Sequence, residues 1–319
     1  MQTVLITGGT GLIGTALSRY LLEEGYHVII LSRNPKETAA RHRVASAQNA
    51  FRPSGRLMHS RWDIQRMIID PMAIQEADYV IHLAGAGVAD KRWNHARKQE
   101  ILVSRTRSSE LLVQSLQRYT NKVRTVISAS AIGWYGPDQG SPFVETDPAS
   151  QDFLGQTCLQ WEQSIEPCAA MGKRLVKLRL GIVLTTEGGA LRAFRQPLYL
   201  GVAPILGSGR QMISWVHISD LCKAFGHALE KESMQGAYNV TAPQPVDNQT
   251  LMLSLARAVC GRRYLPMHVP SWALRWLMGE MSVEVLKSAT VSSHKLEATG
   301  FAFQFADLDS AIRSLTKPC

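Results

Sequence analysis

The feature that most constrains the fold is a glycine-rich turn near the start of the chain, in the segment TVLITGGTGLIG at residues 3–14. Before the turn, Val4-Leu5-Ile6 forms the continuous apolar run that a buried parallel strand requires, because both faces of such a strand are covered. After the turn, apolar residues recur at helical spacing at Leu17 and Leu21. The segment therefore predicts a strand, a tight turn and a helix, the opening unit of a dinucleotide-binding α/β domain.

The glycines of this turn follow the spacing G-x-x-G-x-x-G at Gly8, Gly11 and Gly14. The first permits a tight turn, the second lets a pyrophosphate approach the backbone, and the third lets the helix pack on the strand. Leu12 and Ile13 then place their N–H groups at the positive end of the helix, where phosphates bind. A tight turn without a ligand is the alternative, but the strand–glycine–helix order favours dinucleotide binding.

The tip of the second predicted strand, His27–Leu31, indicates which dinucleotide binds. Proteins selective for NAD usually carry an acidic residue at this tip, whereas this chain has Ser32 and Arg33. Arginine makes charge-assisted bonds to phosphate, so Arg33 favours NADP(H) through its 2′-phosphate; an ordinary exposed loop cation is the alternative. Further basic residues that either reach the phosphate or lie on the solvated surface are Arg41, His42 and Arg43.

A second glycine-containing turn follows the predicted strand Tyr79–Leu83, in the segment HLAGAG. Small residues at the carboxyl end of a strand let the cofactor lie close to the backbone. We therefore assign Leu83, Ala84 and Gly85 to the cofactor site.

Composition and charge exclude several classes of protein. The 319 residues are enough for a dinucleotide-binding domain and a smaller second lobe, and 45% hydrophobic with 19% charged residues is typical of a soluble globular protein. No apolar run is long enough to span a membrane, and a strand that begins at Thr3 leaves no room for a targeting peptide. The net charge of +9 is dispersed, so we expect an anionic nucleotide ligand and no nucleic acid.

The five cysteines are scattered and include no C-x-x-C pair. This pattern argues against disulfides and against a zinc site, so we expect no metal and a reducing, cytoplasmic location.

The order of the motifs resembles that of the extended short-chain dehydrogenases/reductases. TGGTGLIG, HLAGAG and SASAIGWYG are followed by CLQWE, RLGIVL, GGAL, SWVHISD and AYNVTAPQPV. The resemblance covers the whole chain and is closest to an atypical set, the "epimerase family" proteins that end in a C-terminal domain of unknown function. It implies an α/β fold with a doubly wound parallel (Rossmann) sheet. Residues 1–180 would then bind NADP(H), 213–240 would return to the sheet, and 181–212 with 241–319 would form a smaller substrate lobe.

The resemblance also implies roles at the ends of the later strands. The last serine of the family's serine-rich turn bonds the reacting carbonyl or hydroxyl, and Ser130 takes that position after the predicted strand Val123–Ser128. Ser128 and Gly181 are implied at the cofactor, with Gly181 beside the nicotinamide. Strand-end capping is the alternative for both serines.

The family's catalytic Tyr-x-x-x-Lys pair is absent. Alignment on Trp161-Glu162 places Leu154 at the tyrosine position and Cys158 at the lysine position. Lysine and the cofactor ribose normally lower the tyrosine pKa so that it can transfer a proton. Here Ser130 is predicted to polarise the substrate and Tyr135 or Cys158 to replace the proton shuttle, although a buried cysteine is usually inert.

Three hypotheses about function and assembly follow from the resemblance. The chain is an NADP(H)-dependent oxidoreductase or epimerase acting on a small molecule, a sugar nucleotide or another carbonyl compound, or it is a non-catalytic NADP(H)-binding sensor or scaffold. A homodimer through the long helices after the fourth and fifth predicted strands is an oligomeric state that the resemblance allows.

Details of the second half of the chain give three further expectations. Asp220 is placed to cap a helix at Leu221–Leu229, and His217 is interpreted as a structural histidine among apolar neighbours. The apolar stripe that includes Trp272 and Trp276 is interpreted as core or as a dimer surface.

Overall fold

A large mixed α/β architecture is seen in the computed structural model, which describes residues 1–40 and 54–316. Its strands are β1 Thr3–Thr7, β2 His27–Ser32, β3 Leu57–Asp63, β4 Ile68–Ile69, β5 Tyr79–His82, β6 Thr125–Ala131, β7 Arg174–Leu180, β8 Ile182–Leu184, β9 Val202–Leu206, β10 Met212–Ile213, β11 Trp215–His217, β12 Gly236–Val240, β13 Val246–Asp247 and β14 Leu265–Val269.

The α-helices lie between and after these strands. Those that lie wholly within the described ranges are α1 Leu12–Glu23, α2 Pro71–Glu76, α3 His95–Arg118, α4 Phe153–Ile165, α5 Pro167–Ala170, α6 Gly189–Leu198, α7 Ile218–Glu230, α8 Asn248–Cys260, α9 Ser271–Met278, α10 Ser282–Leu286, α11 His294–Glu297 and α12 Leu308–Thr316, with short 3-10 turns at Ile132–Trp134 and Gly279–Met281. Residues 35–40 are helical as well.

The main sheet has eight strands in the order β12-β7-β6-β5-β1-β2-β3-β4. All neighbouring pairs are parallel except β3 and β4. From β1 the chain proceeds first towards β3 and then, from β5, in the opposite direction. This reversal beside β1 is the switch point where doubly wound sheets bind ligands, so the predicted fold class is confirmed.

Both faces of the sheet are covered, because successive strand residues point to opposite sides. Val4 and Ile6 pack in one buried cluster with α1 and α7, while Leu5 packs in the other with α2 and α3. Full burial of each such side chain contributes about 1.5–3 kcal/mol to folding. The uninterrupted apolar runs of β1 and β2 are therefore a direct consequence of their central position.

A smaller C-terminal unit packs around its own core. This core joins α6, α8 and α12 to Trp215 of β11. Of the segment 213–240, only β12 enters the main sheet, whereas β11 pairs with β8 and β10 pairs with β13. At β12 the chain pairs with β7 at the edge of the main sheet, and the predicted division into domains at 180 and 240 stays a prediction.

Asp220 does not cap its helix, contrary to the sequence-based expectation. The helix begins earlier, at Ile218, so Asp220 lies in its first turn and the ring nitrogen Nδ1 of His217 caps it by accepting from Ser219 N at 3.1 Å. The Asp220 carboxylate instead accepts the backbone N–H groups of Gln304 and Phe305, each at 2.8 Å. It therefore anchors the C-terminal segment.

His217 is confirmed as a structural histidine. Its second ring nitrogen lies 3.1 Å from Ser314 Oγ, and burial lowers its pKa to about 4. The ring is therefore neutral at physiological pH, and each of its two nitrogens has a hydrogen-bond partner.

The tryptophan stripe on α9 is not core. Trp272 and Trp276 are 73% and 79% exposed. Of the two interpretations only the dimer surface is left, and it stays a prediction. Over the described ranges, no helix combines the length and apolar character that crossing a bilayer demands.

Candidate cofactor and active site

The turn between β1 and α1 is closed by two glycines that the protein itself requires. Gly8 has φ +70°, and a Cβ there would lie 2.8 Å from the carbonyl carbon of Leu83. A Cβ on Gly14 would lie 2.3 Å from the Gly8 carbonyl oxygen. Any larger residue at either position forces the backbone apart, which is the role predicted for the first and third glycines.

Gly11 differs from both, because a side chain at this position would point towards solvent. The residue is exposed, and an added Cβ would meet only the Gly8 carbonyl oxygen, at 3.3 Å. Gly11 is the N-cap of α1, and no side chain in the described part of the chain caps the helix. The N–H groups at the start of α1, which include those of Leu12 and Ile13, are therefore available to an anion. This cradle fits a dinucleotide pyrophosphate.

Thr7 connects the glycine turn to the turn after β5. Its Oγ1 accepts the backbone N–H groups of Leu83 at 3.1 Å and Ala84 at 3.2 Å, and lies 2.7 Å from His82 Nδ1. The other ring nitrogen of His82 lies 3.1 Å from Ser109 Oγ on α3. Burial lowers the pKa of His82 to about 3, so the ring is neutral. The backbone at Leu83 and Ala84 is thereby fixed beside the glycine turn.

The tip of β2 presents Arg33 to solvent. Ser32 shapes this turn, because its Oγ lies 2.8 Å from Thr38 Oγ1 and accepts the Asn34 N–H at 3.2 Å. Arg33 is exposed, and no carboxylate of the described residues pairs with it. The predicted residues Arg41, His42 and Arg43 lie outside the described residues.

Ser130 lies inside β6, which runs to Ala131, and not in the turn after it. The residue is 2% exposed, and its Oγ donates to Glu162 Oε1 at 2.8 Å. Arg179 of β7 donates to both oxygens of the same carboxylate, from Nε at 2.8 Å and from Nη2 at 3.1 Å. Ser128, two residues earlier on the same face, is also buried and bonds the Ala129 carbonyl at 3.1 Å.

Tyr135 lies in the same buried network. Its hydroxyl donates to Asn239 Oδ1 at 2.7 Å and accepts from Arg179 Nη1 at 3.0 Å, and its ring stacks on Phe143 with centroids 4.9 Å apart. The side chain is 0% exposed, and burial raises its pKa to about 12. The hydroxyl is therefore committed to protein partners, and this geometry gives Tyr135 a structural role rather than that of a proton shuttle.

Leu154 and Cys158 share the face of α4 that packs against the turn after β6. A Cβ added to Gly133 would lie 3.3 Å from Leu154 Cβ and 3.7 Å from Cys158 Sγ. Burial raises the pKa of the Cys158 thiol to about 12, so it is not a thiolate. The face on which a tyrosine and a lysine were expected thus carries a hydrocarbon and a neutral thiol.

Gly181 links β7 to β8 in a confined space. Its N–H donates to the Val240 carbonyl at 3.0 Å, and an added Cβ would lie 2.8 Å from the Ser214 carbonyl oxygen. Packing between the two units therefore requires a glycine here, whatever its role towards the nicotinamide.

Comparison with known proteins assigns the chain to a family. A model of the NAD dependent epimerase/dehydratase family matches residues 4–241, which is most of the chain. The chain belongs to this family. A second model, for a domain of unknown function (DUF1731), matches residues 269–315.

Relatives in this epimerase/dehydratase family match the chain from end to end. An epimerase family protein of Staphylococcus saprophyticus is 35% identical over 318 residues, covering 99% of both chains. The epimerase family protein YfhF of Bacillus subtilis is 33% identical over 315 residues, covering 98% of both.

Solved structures show the same fold. The human epimerase family protein SDR39U1, determined with NADPH, aligns over 100% of both chains with TM-score 0.82 and 25% identity. The UDP-glucuronic acid 4-epimerase of Bacillus cereus, determined with UDP-glucuronic acid and NAD, has TM-score 0.77 and 18% identity over 99% of this chain and 98% of its own.

Two residues that support the site in this member of the epimerase/dehydratase family were missed in the sequence. Thr7 lies in an apolar strand, where its hydroxyl gives no periodic signal, although its place one residue before Gly8 could have identified it. Arg179 stands in the run RLVKLRL as one of three cations, and only the sheet brings it against Glu162.

Proposed function

We propose that this chain binds NADP(H) in preference to NAD(H) and acts as an oxidoreductase or epimerase on a small carbonyl compound, sugar nucleotides included. The observation that carries the proposal is the open cradle at Gly11, formed by the uncapped start of α1 beside the backbone that Thr7 fixes. The full-length likeness to a human relative determined with NADPH supports the choice of cofactor.

Arg33 accounts for the preference between the two cofactors. The guanidinium is exposed and has no carboxylate partner among the described residues, so its donors are available to a 2′-phosphate. A charge-assisted bond of this kind is worth roughly 1.5–3 kcal/mol, which corresponds to about 10–100-fold in affinity. NAD(H), which lacks the phosphate, gains nothing from it.

Ser130 is the residue that we propose for contact with the reacting oxygen. When bound, NADPH supplies a hydride to a carbonyl carbon. In this proposal Ser130 turns its hydroxyl from Glu162 towards the substrate, while Arg179 continues to bond both oxygens of that carboxylate. The developing negative charge on the carbonyl oxygen is then stabilised by a hydrogen-bond donor.

The proton that completes a reduction comes from water in this proposal. Tyr135 is held by Asn239 and Arg179, and the Cys158 thiol has its pKa raised to about 12 by burial. Loss of a positioned general acid reduces the rate by about 10²–10⁴-fold, so turnover is expected to be slow.

A non-catalytic NADP(H)-binding protein is the second candidate. The observation that favours it is that the hydroxyls of Ser130 and Tyr135 both bond protein groups while Leu154 and Cys158 replace the catalytic pair. Under this alternative the chain senses the redox state of the cofactor or scaffolds a partner.

Titration followed by single-turnover kinetics separates the two. Isothermal titration with NADPH and NADH measures the preference, and equal affinities would refute the proposed cofactor. Stopped-flow loss of NADPH absorbance is then recorded with a panel of sugar nucleotides and small carbonyl compounds. Slow decay with one of them supports the oxidoreductase, while tight NADPH binding with no decay supports the sensor.

We also propose a homodimer and a cytoplasmic location. α3 and α5 border a cavity of about 760 Å³ on the outer face, lined by residues that include Val103 and Pro167, and a second copy would cover this face. Native mass spectrometry of freshly purified protein reports the number of subunits and any retained nucleotide together.

A further inference from the structure

Arg105 of α3 is held rigidly beneath the turn that follows β5. Its Nη1 donates to the carbonyl oxygens of Ala86 at 3.0 Å and Ile101 at 2.9 Å. The guanidinium carbon lies 4.9 Å from the centre of the Trp161 ring, where a cation is attracted to the aromatic face. These three contacts fix the guanidinium in one place.

No carboxylate of the described residues neutralises this cation. Arg97, two turns earlier on the same helix, pairs with Glu100 and Asp90, and Arg179 pairs with Glu162, whereas Arg105 forms no ion pair. Burial lowers the pKa of Arg105, and the neighbouring charge of Arg97 lowers it further. Because the side chain is only partly buried, its unpaired donors can be reached by a ligand that supplies the missing partner.

Arg105 lies near both the turn assigned to the cofactor and the residue at the lysine position. A Cβ added to Gly85 would lie 3.2 Å from the guanidinium carbon, so the guanidinium touches the turn assigned to the cofactor. Arg105 is also close enough to Cys158 to lower the pKa of its thiol, against the larger effect of burial. The cation thus lies between the cofactor turn and the residue at the lysine position.

The remaining donors of Arg105 are available to a ligand. Both bonds to backbone carbonyls use Nη1, and within residues 1–40 and 54–316 no hydrogen bond is made by Nε or Nη2. The dinucleotide crosses the switch point beside β1, with its adenosine half over the tip of β2. Its other half therefore lies towards β5 and β6, on the side of Arg105.

We propose that Arg105 supplies from α3 the positive charge that Cys158 does not supply from α4, and that it binds the hydroxyl oxygens of the nicotinamide-side ribose of NADP(H). This inference rests on the proposed function, because it requires the cofactor to bind. It makes Arg105 a cofactor-binding residue that sequence motifs do not identify.

The test compares the whole cofactor with its adenine half. The Kd values of NADPH and of 2′,5′-ADP, which lacks the nicotinamide and its ribose, are measured by isothermal titration for wild type and Arg105→Met. Loss of bonds to a charged donor predicts a Kd for NADPH raised about 10–100-fold, with the Kd of 2′,5′-ADP unchanged. Arg105→Lys keeps the positive charge but lacks the planar set of guanidinium donors. It is expected to bind NADPH more tightly than Arg105→Met.

Arg107→Met is the matched control, because Arg107 lies on the same helix, is exposed, and donates to the Gln65 carbonyl at 3.0 Å. It should change neither Kd. An Arg105→Met protein that binds NADPH like wild type overturns the inference, and so does an equal loss for both ligands, since that indicates a structural role. If Arg105→Met does not fold, an Arg105→Lys protein with unchanged NADPH affinity likewise overturns it. Wild type that binds no NADPH refutes the proposed function instead.

Discussion

Tyr135 donates its hydroxyl hydrogen to Asn239 Oδ1 across 2.7 Å, which joins the turn after β6 to β12 at the edge of the sheet. The same hydroxyl accepts a hydrogen from Arg179 Nη1 on β7 at 3.0 Å. One phenol therefore connects three segments that are far apart in sequence. The missing catalytic pair suggested this tyrosine as a replacement proton shuttle, and its contacts indicate a structural role.

Tyr135→Phe tests this structural role. The change leaves the Asn239 oxygen without its donor in a buried site, so the free energy of unfolding should fall by about 1–3 kcal/mol. The affinity for NADPH should stay the same, because the phenol does not face the cradle. Urea denaturation and titration measure the two effects, with Tyr199→Phe as control, since Tyr199 is 69% exposed. A variant as stable as wild type would contradict the role.

Arg33→Ala tests the choice of cofactor. Loss of the guanidinium should weaken NADPH binding about 10–100-fold and leave NADH binding unchanged, because only NADPH carries the 2′-phosphate. Arg118→Ala is the control, since Arg118 is an exposed cation at the far end of α3. The affinities of both variants for both cofactors are measured by isothermal titration. An equal loss of affinity for NADPH and NADH would show that Arg33 does not contact the 2′-phosphate.

The glycine turn should respond differently at its two later glycines. Gly11→Val should abolish binding of either cofactor while the circular dichroism spectrum is retained, because its side chain points into the open cradle. Gly14→Ala should lose both cofactor binding and the native fold, because its Cβ would lie 2.3 Å from the Gly8 carbonyl oxygen. Cofactor binding by folded Gly11→Val would show that the turn is only structural.

Acid should destabilise the protein through its buried histidines. Burial lowers the pKa of His82 to about 3 and that of His217 to about 4, from 6.5 in the unfolded chain. Below pH 6.5 the unfolded state binds protons that the folded state does not, so stability falls as the pH drops towards these values. Each histidine contributes up to about 1.4 kcal/mol per pH unit in this window.

The imidazole proton resonances of the two histidines provide the check. In an NMR titration, neither resonance should shift between pH 8 and pH 5.5. A midpoint near 6.5 for His82 would contradict its bonds to Thr7 and Ser109.

The cofactor cradle could be predicted from the sequence because its determinants are local. Gly8, Gly11 and Gly14 act within one turn, and their spacing carries the steric requirement directly. The apolar runs of β1 and β2 likewise fix the centre of the sheet, since strands covered on both faces show no alternation.

The surroundings of Ser130 could not be predicted in the same way, because their contacts join distant segments. Motif alignment placed Ser130 in a turn, but pairing with β7 extends β6 past it to Ala131. Asp220 resembled a helix cap until the C-terminal segment supplied the backbone of Gln304 and Phe305. Arg105 lies on a helix rich in basic residues, and the sequence gives no sign that this one is packed against the turn after β5 at Gly85.

The last prediction concerns Ser130 and Cys158, and so the reaction itself. Ser130→Ala should lower the single-turnover rate of NADPH oxidation by about 10²–10³-fold, the usual effect of removing a donor from a developing oxyanion. Its affinity for NADPH should be unaffected, because Glu162 keeps its two bonds from Arg179. Cys158→Ser is the control, since a neutral buried thiol takes no part in proton transfer, and it should change the rate little. Stopped-flow absorbance at saturating cofactor measures each variant. A fast reaction that is insensitive to Ser130→Ala would remove the serine from the site, and a rate lost in Cys158→Ser alone would assign the proton to the thiol.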